Sequence, residues 1–221
     1  MRISEIAAIA ALPLLAACAG LGMSGSAPNQ TTVTVGGQRV TILAPAGFCI
    51  DRSSTSVTSA GAFVLVSDCQ LLSPSRATDP TGVGAAEGER EPIGAALTAS
   101  LSPTGLGEAG PATNSLSDLA RYARTPEGLA MIGRGGRSQG VRLLESAERD
   151  GVLYLHVEDR GPGPIPGLEP RYWRAFFEVN GRLTAVSQLG FAGSGIDRQS
   201  GLNLVSAFVQ AIRAANPAPA G

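Results

Sequence analysis

Alternating polar and apolar residues after position 30 predict the first element of the fold. Residues 31–35 read Thr-Thr-Val-Thr-Val, residues 38–43 read Gln-Arg-Val-Thr-Ile-Leu, and two glycines separate the runs. A two-residue turn that tolerates positive φ joins antiparallel strands, so the pattern predicts a hairpin in which Val35 pairs with Gln38. That register places the apolar residues on one buried face, namely Val33, Val35, Val40 and Ile42.

Further apolar runs predict more strands. They cover residues 62–67, residues 95–101, and residues 141–148 and 152–158 on either side of an Arg-Asp-Gly turn. The clearest hairpin joins residues 172–179 to 182–191 through Asn180-Gly181. Trp173, Ala175, Phe177, Val179 and Val186 fall on one face of it, and Tyr172, Phe176, Leu183, Ala185 and Leu189 on the other. Apolar residues on both faces indicate a central strand pair covered on each side.

Helical spacing and capping residues predict three helices. The first begins at Ser115 or Ser117, and the second begins after the N-cap Thr125 and ends at Gly133, with Leu129, Met131 and Ile132 expected to be buried. The third covers residues 198–215. Its apolar stripe consists of Leu202, Val205, Phe208, Val209 and Ile212.

This order of elements predicts an α+β fold, with one antiparallel β-sheet and helices on its two faces. Over residues 38–215 the order is similar to the PsbP-like α/β/α sandwich of photosystem extrinsic proteins and actinobacterial lipoproteins. The resemblance is carried by residues 45–48 (Pro-Ala-Gly-Phe), residues 117–122 (Ser-Asp-Leu-Ala-Arg-Tyr), Asp150-Gly151 and the last helix. It implies a non-enzymatic assembly factor, partner-binding module or small-ligand binder. It transfers no functional residue, because no site motif is matched.

The N-terminus has the pattern of an export signal. An apolar run of about ten residues ends at Leu15 and contains Pro13, whereas a membrane-spanning helix needs about 20 apolar residues, so a signal peptide is favoured over a transmembrane or buried helix. Leu15-Ala16-Ala17-Cys18 resembles the lipobox of bacterial lipoproteins. The resemblance implies that residues 1–17 are removed and that Cys18 carries a diacylglycerol and an acyl chain such as palmitate. Since the next residue is Ala19 and not Asp, it also implies the periplasmic face of the outer membrane.

Composition divides the rest of the chain. Residues 18–30 form a predicted flexible tether, residues 31–216 a single domain and residues 217–221 a disordered tail. Residues 73–92 are predicted to be a long mobile loop, in which Glu87, Glu89 and Glu91 provide too few converging oxygens for a Ca²⁺ site. Residues 20–25 and 105–110 match G-x-G-x-x-G, but neither lies between a strand and a helix, so neither predicts a dinucleotide site.

Net charge and cysteine content limit the partners and the cysteine chemistry that we expect. The net charge is −1, which disfavours nucleic acid as a partner, and all 17 basic residues are arginine, which we attribute to a GC-rich genome. Cys49 and Cys69 form an even pair in an exported chain and predict a disulfide. A redox-active pair is disfavoured, because such pairs usually have a Cys-x-x-Cys spacing.

Three groups of residues are candidates for a site. Arg134 and Arg137 lie in a glycine-rich connection that could form a cationic nest for an anion, or that simply exposes two arginines to solvent. Trp173 and Tyr172 could line a pocket for an apolar or amphipathic ligand, or pack in the core. His156, the sole histidine, could act with Glu158 or Asp159 as a catalyst, but a lone histidine in a strand is more often packed.

The sequence therefore predicts a lipid-anchored envelope binding or assembly module. We expect no catalytic residues, cofactor or metal. The chain contains no H-E-x-x-H, and its G-x-S-x-G match at residues 136–140 lies between a predicted helix and a predicted strand, whereas a nucleophile elbow joins a strand to a helix. The expected partners are the membrane, through the lipid on Cys18, and an envelope protein. A binder of small apolar or amphipathic ligands is the alternative, and a hydrolase that uses His156 is the weakest hypothesis.

Overall fold

The computed structural model describes residues 27–72, 92–108, 110, 114–162 and 165–217. The predicted signal peptide, Cys18, most of the tether, the loop at 73–91 and residues 218–221 lie outside these residues. The described chain begins slightly before the predicted domain boundary. The carbonyl groups of Pro28 and Asn29 already accept hydrogen bonds from Ile50 and Ala44, at 2.7 and 2.8 Å.

Nine strands and three helices make up the described fold. The strands are β1 (Gln30–Val35), β2 (Gln38–Leu43), β3 (Phe48–Thr58), β4 (Gly61–Asp68), β5 (Ala95–Leu101), β6 (Val141–Arg149), β7 (Val152–Asp159), β8 (Arg171–Val179) and β9 (Arg182–Gly190). The helices are α1 (Leu116–Tyr122), α2 (Pro126–Ile132) and α3 (Arg198–Ala215). Strands β3 to β9 form one seven-stranded antiparallel sheet in the order β3-β4-β5-β9-β8-β7-β6.

The hairpin β1–β2 has the predicted register. Val35 pairs with Gln38, and the glycines of the turn have φ values of 54° and 77°, which side chains with a Cβ rarely adopt. The four predicted core residues of this hairpin are buried. They pack together with the apolar stripe of α3 against one face of the large sheet.

The opposite face of the sheet carries α1 and α2. Leu119 and Ile132 from these helices pack against Leu153, Leu155 and Val157 of β7. The helices therefore cover both faces of an antiparallel sheet, and the predicted α+β class is confirmed. The hairpin β8–β9 lies in the middle of the sheet and contributes to both cores, as its two apolar faces predicted.

Two details of the expected fold are wrong. The strand β3 was not predicted. Residues 51–58 are polar, and the pairing of β3 with β4 shifts register between Asp51 and Ser56. Both features suit an edge strand that pairs on one side only. Met131 was expected to be buried but is 38% exposed, because it faces away from the sheet on the short helix α2.

Caps and a cross-link fix the local structure. Ser115 caps α1 and Thr125 caps α2 through hydrogen bonds to the backbone N–H groups of Asp118 and Gly128, both at 3.1 Å. The predicted disulfide between Cys49 and Cys69 is present, and it joins the start of β3 to the residue after β4. Among the helices of the described chain, none is long and apolar enough to cross a membrane.

Candidate functional site

A row of side chains crosses three central strands on the face that α3 covers. His156 of β7 pairs with Trp173 of β8, and Trp173 pairs with Gln188 of β9. All three residues are buried, with Gln188 only 3% and His156 9% exposed. Because residues directly opposite one another on adjacent strands point to the same face, the registers bring an imidazole, an indole and an amide side by side.

The imidazole of His156 stacks on the indole of Trp173. Their ring centroids are 4.7 Å apart and the ring planes differ by 17°. Burial lowers the pKa of His156 below its ordinary value, and the positive charge of Arg198 adds to this effect. The imidazole is therefore neutral at pH 7, and it offers one hydrogen-bond donor and one acceptor.

The first turn of α3 leaves a cleft of about 350 Å³ beside this row, which we call the His–Trp cleft. Trp173 fixes one wall, because its indole N–H donates to the carbonyl oxygen of Arg198 at 2.9 Å. Arg198 also lies over the indole ring, with 5.6 Å between its guanidinium carbon and the ring centroid. The remaining lining includes Glu169, Arg171, Gln188, Ile196 and Asp197.

Three arginines surround one buried carboxylate next to this cleft. Glu158, whose side chain is 3% exposed, lies 3.2 Å from Arg160 Nη2, 3.2 Å from Arg171 Nε and 3.6 Å from Arg142 Nη1. We call these four residues the arginine cluster. The arginine side chains are 63 to 71% exposed. The hydrogen bond from Arg160, together with that from Arg171, holds the pKa of the Glu158 carboxyl below its ordinary value.

The predicted anion nest at residues 133–138 is occupied by the protein itself. The backbone N–H of Arg134 donates to Asp159 Oδ2 at 2.8 Å, and its guanidinium donates to the carbonyl oxygens of Asp159 and Glu169 at 2.6 and 3.1 Å. Arg134 therefore ties the connection after α2 to the end of β7. Arg137 is exposed and borders a separate shallow depression with Arg160. The structure does not bring Arg134 and Arg137 together on one open anion site.

Tyr172 and Trp173 lie on opposite faces of the sheet. The hydroxyl of Tyr172 donates to the carbonyl oxygen of Ile132 at 2.6 Å, and the guanidinium of Arg134 lies over its ring at 5.4 Å. Burial raises the pKa of Tyr172 to about 12, so the hydroxyl remains a donor. Both residues border the His–Trp cleft, but their rings belong to different cores.

Gln188, Arg171 and Arg198 were not predicted as site residues. Gln188 could have been identified from the sequence, because it is a polar residue at the next inward-facing position after Val186 in an alternating strand. The arginine cluster could not have been identified in this way, because its members come from β6, β7, β8 and the loop after β7. Among the described residues, no group of three or more His, Cys, Asp or Glu side chains could hold a metal ion.

Comparison with known proteins gives distant structural likenesses only. No family model and no curated protein matches the sequence. The Ran-binding protein Mog1p of Saccharomyces cerevisiae is 13% identical with a TM-score of 0.44, covering 86% of this chain and 95% of its own. A mutant form of the protein Mog1 is 12% identical with a TM-score of 0.43, covering 85% of this chain and 94% of its own.

Cyanobacterial PsbP (CyanoP) from Synechocystis sp. PCC 6803 is 15% identical with a TM-score of 0.37, and the match covers 91% of this chain and 96% of that protein. It belongs to the family that the sequence resembles. TM-scores below 0.5 are too low to assign a family or a function. The fold class therefore rests on the strand order and the layers described above.

Proposed function

We propose that this protein is a lipid-anchored, non-catalytic binding module of the bacterial envelope, and that the arginine cluster holds an acidic segment of a partner protein. The observation that carries the proposal is the placement of three exposed guanidinium groups around the single buried carboxylate of Glu158. One negative charge faces three positive charges, so the cluster keeps a local excess of positive charge on a chain whose net charge is −1.

The geometry of the guanidinium groups favours carboxylates. Glu158 holds Arg160 and Arg171 by hydrogen bonds at 3.2 Å, so these side chains lose less conformational freedom when a partner binds. Arginine also presents paired N–H donors that match a carboxylate. Recognition of an anionic bilayer typically uses four to eight basic residues. Three arginines, two of them held by hydrogen bonds, suit an acidic protein segment better.

The proposed anchor would orient this surface. The chain enters the fold at Pro28, next to the start of β3, and in the antiparallel sheet this is the end at which β7 finishes and β6 and β8 begin. The arginine cluster lies at that same end. Nine residues lie between Cys18 and Pro28, and the ten steps from one to the other span at most about 35 Å. An anchored domain would therefore carry the cluster close to the membrane surface, where a partner's membrane-proximal segment is within reach.

The surroundings of His156 support a non-catalytic role. Both carboxylates that the sequence offered to the imidazole are engaged elsewhere, Glu158 with the arginine cluster and Asp159 with Arg134 and the N–H of Gly161. The imidazole itself packs on Trp173. Catalysis by a histidine and a carboxylate needs a direct hydrogen bond that orients the base. None of the side-chain hydrogen bonds of the described residues involves His156.

Pull-down from solubilised envelope, with the full-length protein as bait, tests the partner. We expect one acidic envelope protein to co-purify in stoichiometric amount and to dissociate as salt is raised. Arg142→Gln combined with Arg160→Gln should abolish its recovery. Arg39→Gln combined with Arg52→Gln removes the same charge from two other exposed positions and should leave it unchanged. Absence of any stoichiometric partner would refute the proposal.

Sedimentation with lipid vesicles tests the competing explanation, in which the arginine cluster binds lipid headgroups. If the Arg142/Arg160 variant recovers the same proteins as the wild type but no longer sediments with phosphatidylglycerol vesicles, then lipid headgroups occupy the cluster. Thermal melting of both double variants checks that they are folded.

The anchor has its own test. Mass spectrometry of the N-terminal tryptic peptide from membranes should show a chain that begins at Cys18 and carries thioether-linked diacylglycerol. Cys18→Ala should remove this species without lowering the melting temperature of the domain. An unmodified Cys18 in the wild-type protein would overturn the lipoprotein assignment and leave the protein-partner test unaffected.

A further inference from the structure

Two largely buried polar side chains open onto the His–Trp cleft, and neither is among the described residues with a side-chain polar atom that is both fully buried and unpaired. Within the described residues, neither the amide of Gln188 nor the imidazole of His156 takes part in a side-chain hydrogen bond, although these residues are only 3% and 9% exposed. Buried polar groups are hydrogen-bonded in the large majority of proteins. Both side chains border the cleft, so a molecule in the cleft can reach them.

The amide of Gln188 is held in place by close backbone contacts. A Cβ atom at Gly201, in the first turn of α3, would lie 2.8 Å from Gln188 Oε1 and 3.1 Å from Trp173 Cδ1. A Cβ atom at Gly190 would lie 3.5 Å from Gln188 Nε2. Glycine at 201 therefore leaves room for the amide beside the first turn of α3, and the amide lies close to both the helix and the strand.

Both arginines of the cleft keep free hydrogen-bond donors. Arg171 uses only Nε for Glu158, and Arg198 uses Nε and Nη2 for Glu145, so three terminal guanidinium nitrogens stay unpaired among the described residues. Two carboxylates also line the cleft. Asp197, the N-cap of α3, accepts the N–H of Ser200 at 2.7 Å, and Glu169 accepts the N–H of Gly193 at 3.4 Å. An oxyanion would therefore be held by the free guanidinium donors and the two uncharged side chains, and not by an excess of positive charge.

We propose that the His–Trp cleft binds a small oxyanion, the carboxylate or phosphate group of a small molecule. Arg171 and Arg198 supply the guanidinium donors, Gln188 supplies an amide donor, and the neutral imidazole of His156 supplies one further donor. The volume of about 350 Å³ lies at the lower end of the range for ligand sites, so the ligand is small. The polar lining favours this oxyanion over the apolar or amphipathic ligand of the alternative hypothesis. The cleft shares Arg171 with the arginine cluster, so binding to the cleft is measured in the absence of the proposed protein partner.

The chain has two reporters at this cleft, because Trp173 and His156 are its only tryptophan and its only histidine. The full-length protein in a non-ionic detergent is titrated with inorganic phosphate and, separately, with succinate, at constant ionic strength. We expect a saturable change in tryptophan fluorescence and a parallel shift of the His156 ring resonances in NMR spectra. Saturation by one probe but not the other identifies the preferred oxyanion.

Gln188→Leu keeps the size of the side chain and removes the amide. This variant should weaken binding at least tenfold, whereas Gln210→Leu, at an exposed position of α3, should bind as the wild type does. Thermal melting separates loss of the amide from loss of the fold. The proposal is wrong if neither probe produces a saturable change in both reporters, or if a folded Gln188→Leu protein has the same dissociation constant as the wild type. Because Arg142 and Arg160 are left intact, the result does not depend on the pull-down.

Discussion

Gly128 in α2 offers a test in which local propensity and packing predict opposite signs. Alanine in a helix interior is about 1 kcal/mol more favourable than glycine, so propensity alone predicts that Gly128→Ala is stabilising. In the structure, however, a Cβ atom at this position would lie 1.8 Å from the carbonyl oxygen of Tyr122 and 2.7 Å from the Cα atom of Ala123. These are backbone atoms of the preceding helix, and they cannot rotate away.

The size of the expected loss of stability follows from the atoms that must move. Real Cβ atoms essentially never come within 3.0 Å of another heavy atom, so Tyr122 O and the new methyl group must separate by about 1.2 Å. That carbonyl accepts hydrogen bonds from Thr125 N and Thr125 Oγ1, both at 2.9 Å. Overpacking costs about 1–3 kcal/mol, and each hydrogen bond that is lost costs about 1 kcal/mol. After the propensity gain is subtracted, we expect a loss of about 2–4 kcal/mol.

Thermal unfolding followed by circular dichroism measures this loss. For a domain of this size each kcal/mol lowers the melting temperature by about 2–4 °C, so the decrease should be about 4–16 °C. Gly135→Ala is the matched control, since its nearest neighbour is a flexible arginine nitrogen at 3.4 Å and its φ is not positive. The control should melt at or slightly above the wild-type temperature. A Gly128→Ala protein as stable as the wild type would refute the close approach of α1 and α2.

Three further predictions concern stability. Phe208→Ala removes a fully buried ring of α3 and should lower the free energy of unfolding by about 3–5 kcal/mol in urea titration, and a loss below about 1 kcal/mol would contradict the packing of α3 on the sheet. Replacing Cys49 and Cys69 by serine opens a loop of 20 residues and should cost about 3 kcal/mol, and wild-type protein that melts equally with and without reductant would contradict this. The pKa of His156 is lowered in the folded state, mainly by burial, so the unfolded chain takes up a proton more readily. The contribution of His156 to the free energy of unfolding should be complete above about pH 6.5 and should be lost as the pH falls below that value. Between pH 7.5 and pH 5 the wild type should therefore lose more stability than His156→Gln, and parallel curves would contradict the lowered pKa.

The first hairpin was predictable because its signals are local. The glycines at positions 36 and 37 fix the turn, and alternation around Val35 and Val40 fixes which face is buried. The strand β3 was not predictable, because an edge strand with one solvated face needs few apolar residues. Its pairing partner β4 determines its structure, and that information lies in tertiary contacts.

The candidate sites depend even more on long-range contacts. Nothing in the sequence near Glu158 indicates that Arg142 and Arg171 approach it, because the two residues lie on the neighbouring strands β6 and β8. The cleft likewise depends on α3 being placed across Trp173, 25 residues before Arg198 in the chain. His156 and Trp173 were identified as residues of interest, but their stacking follows from the register of β7 and β8. That register is fixed by the whole sheet.

The attachment of the hairpin β1–β2 has a mechanical consequence. Within the described residues β1 pairs with β2 alone, and β2 is fastened to the end of α3 by two hydrogen bonds between Thr41 and Asn216, at 2.9 and 2.7 Å. Tension on the N-terminal segment therefore loads the bonds of Pro28 and Asn29 first, and then the pairs of β1 from Gln30 onward. Because the hairpin also packs its four apolar side chains in the core beneath α3, tension reaches that core only after these hydrogen bonds have opened.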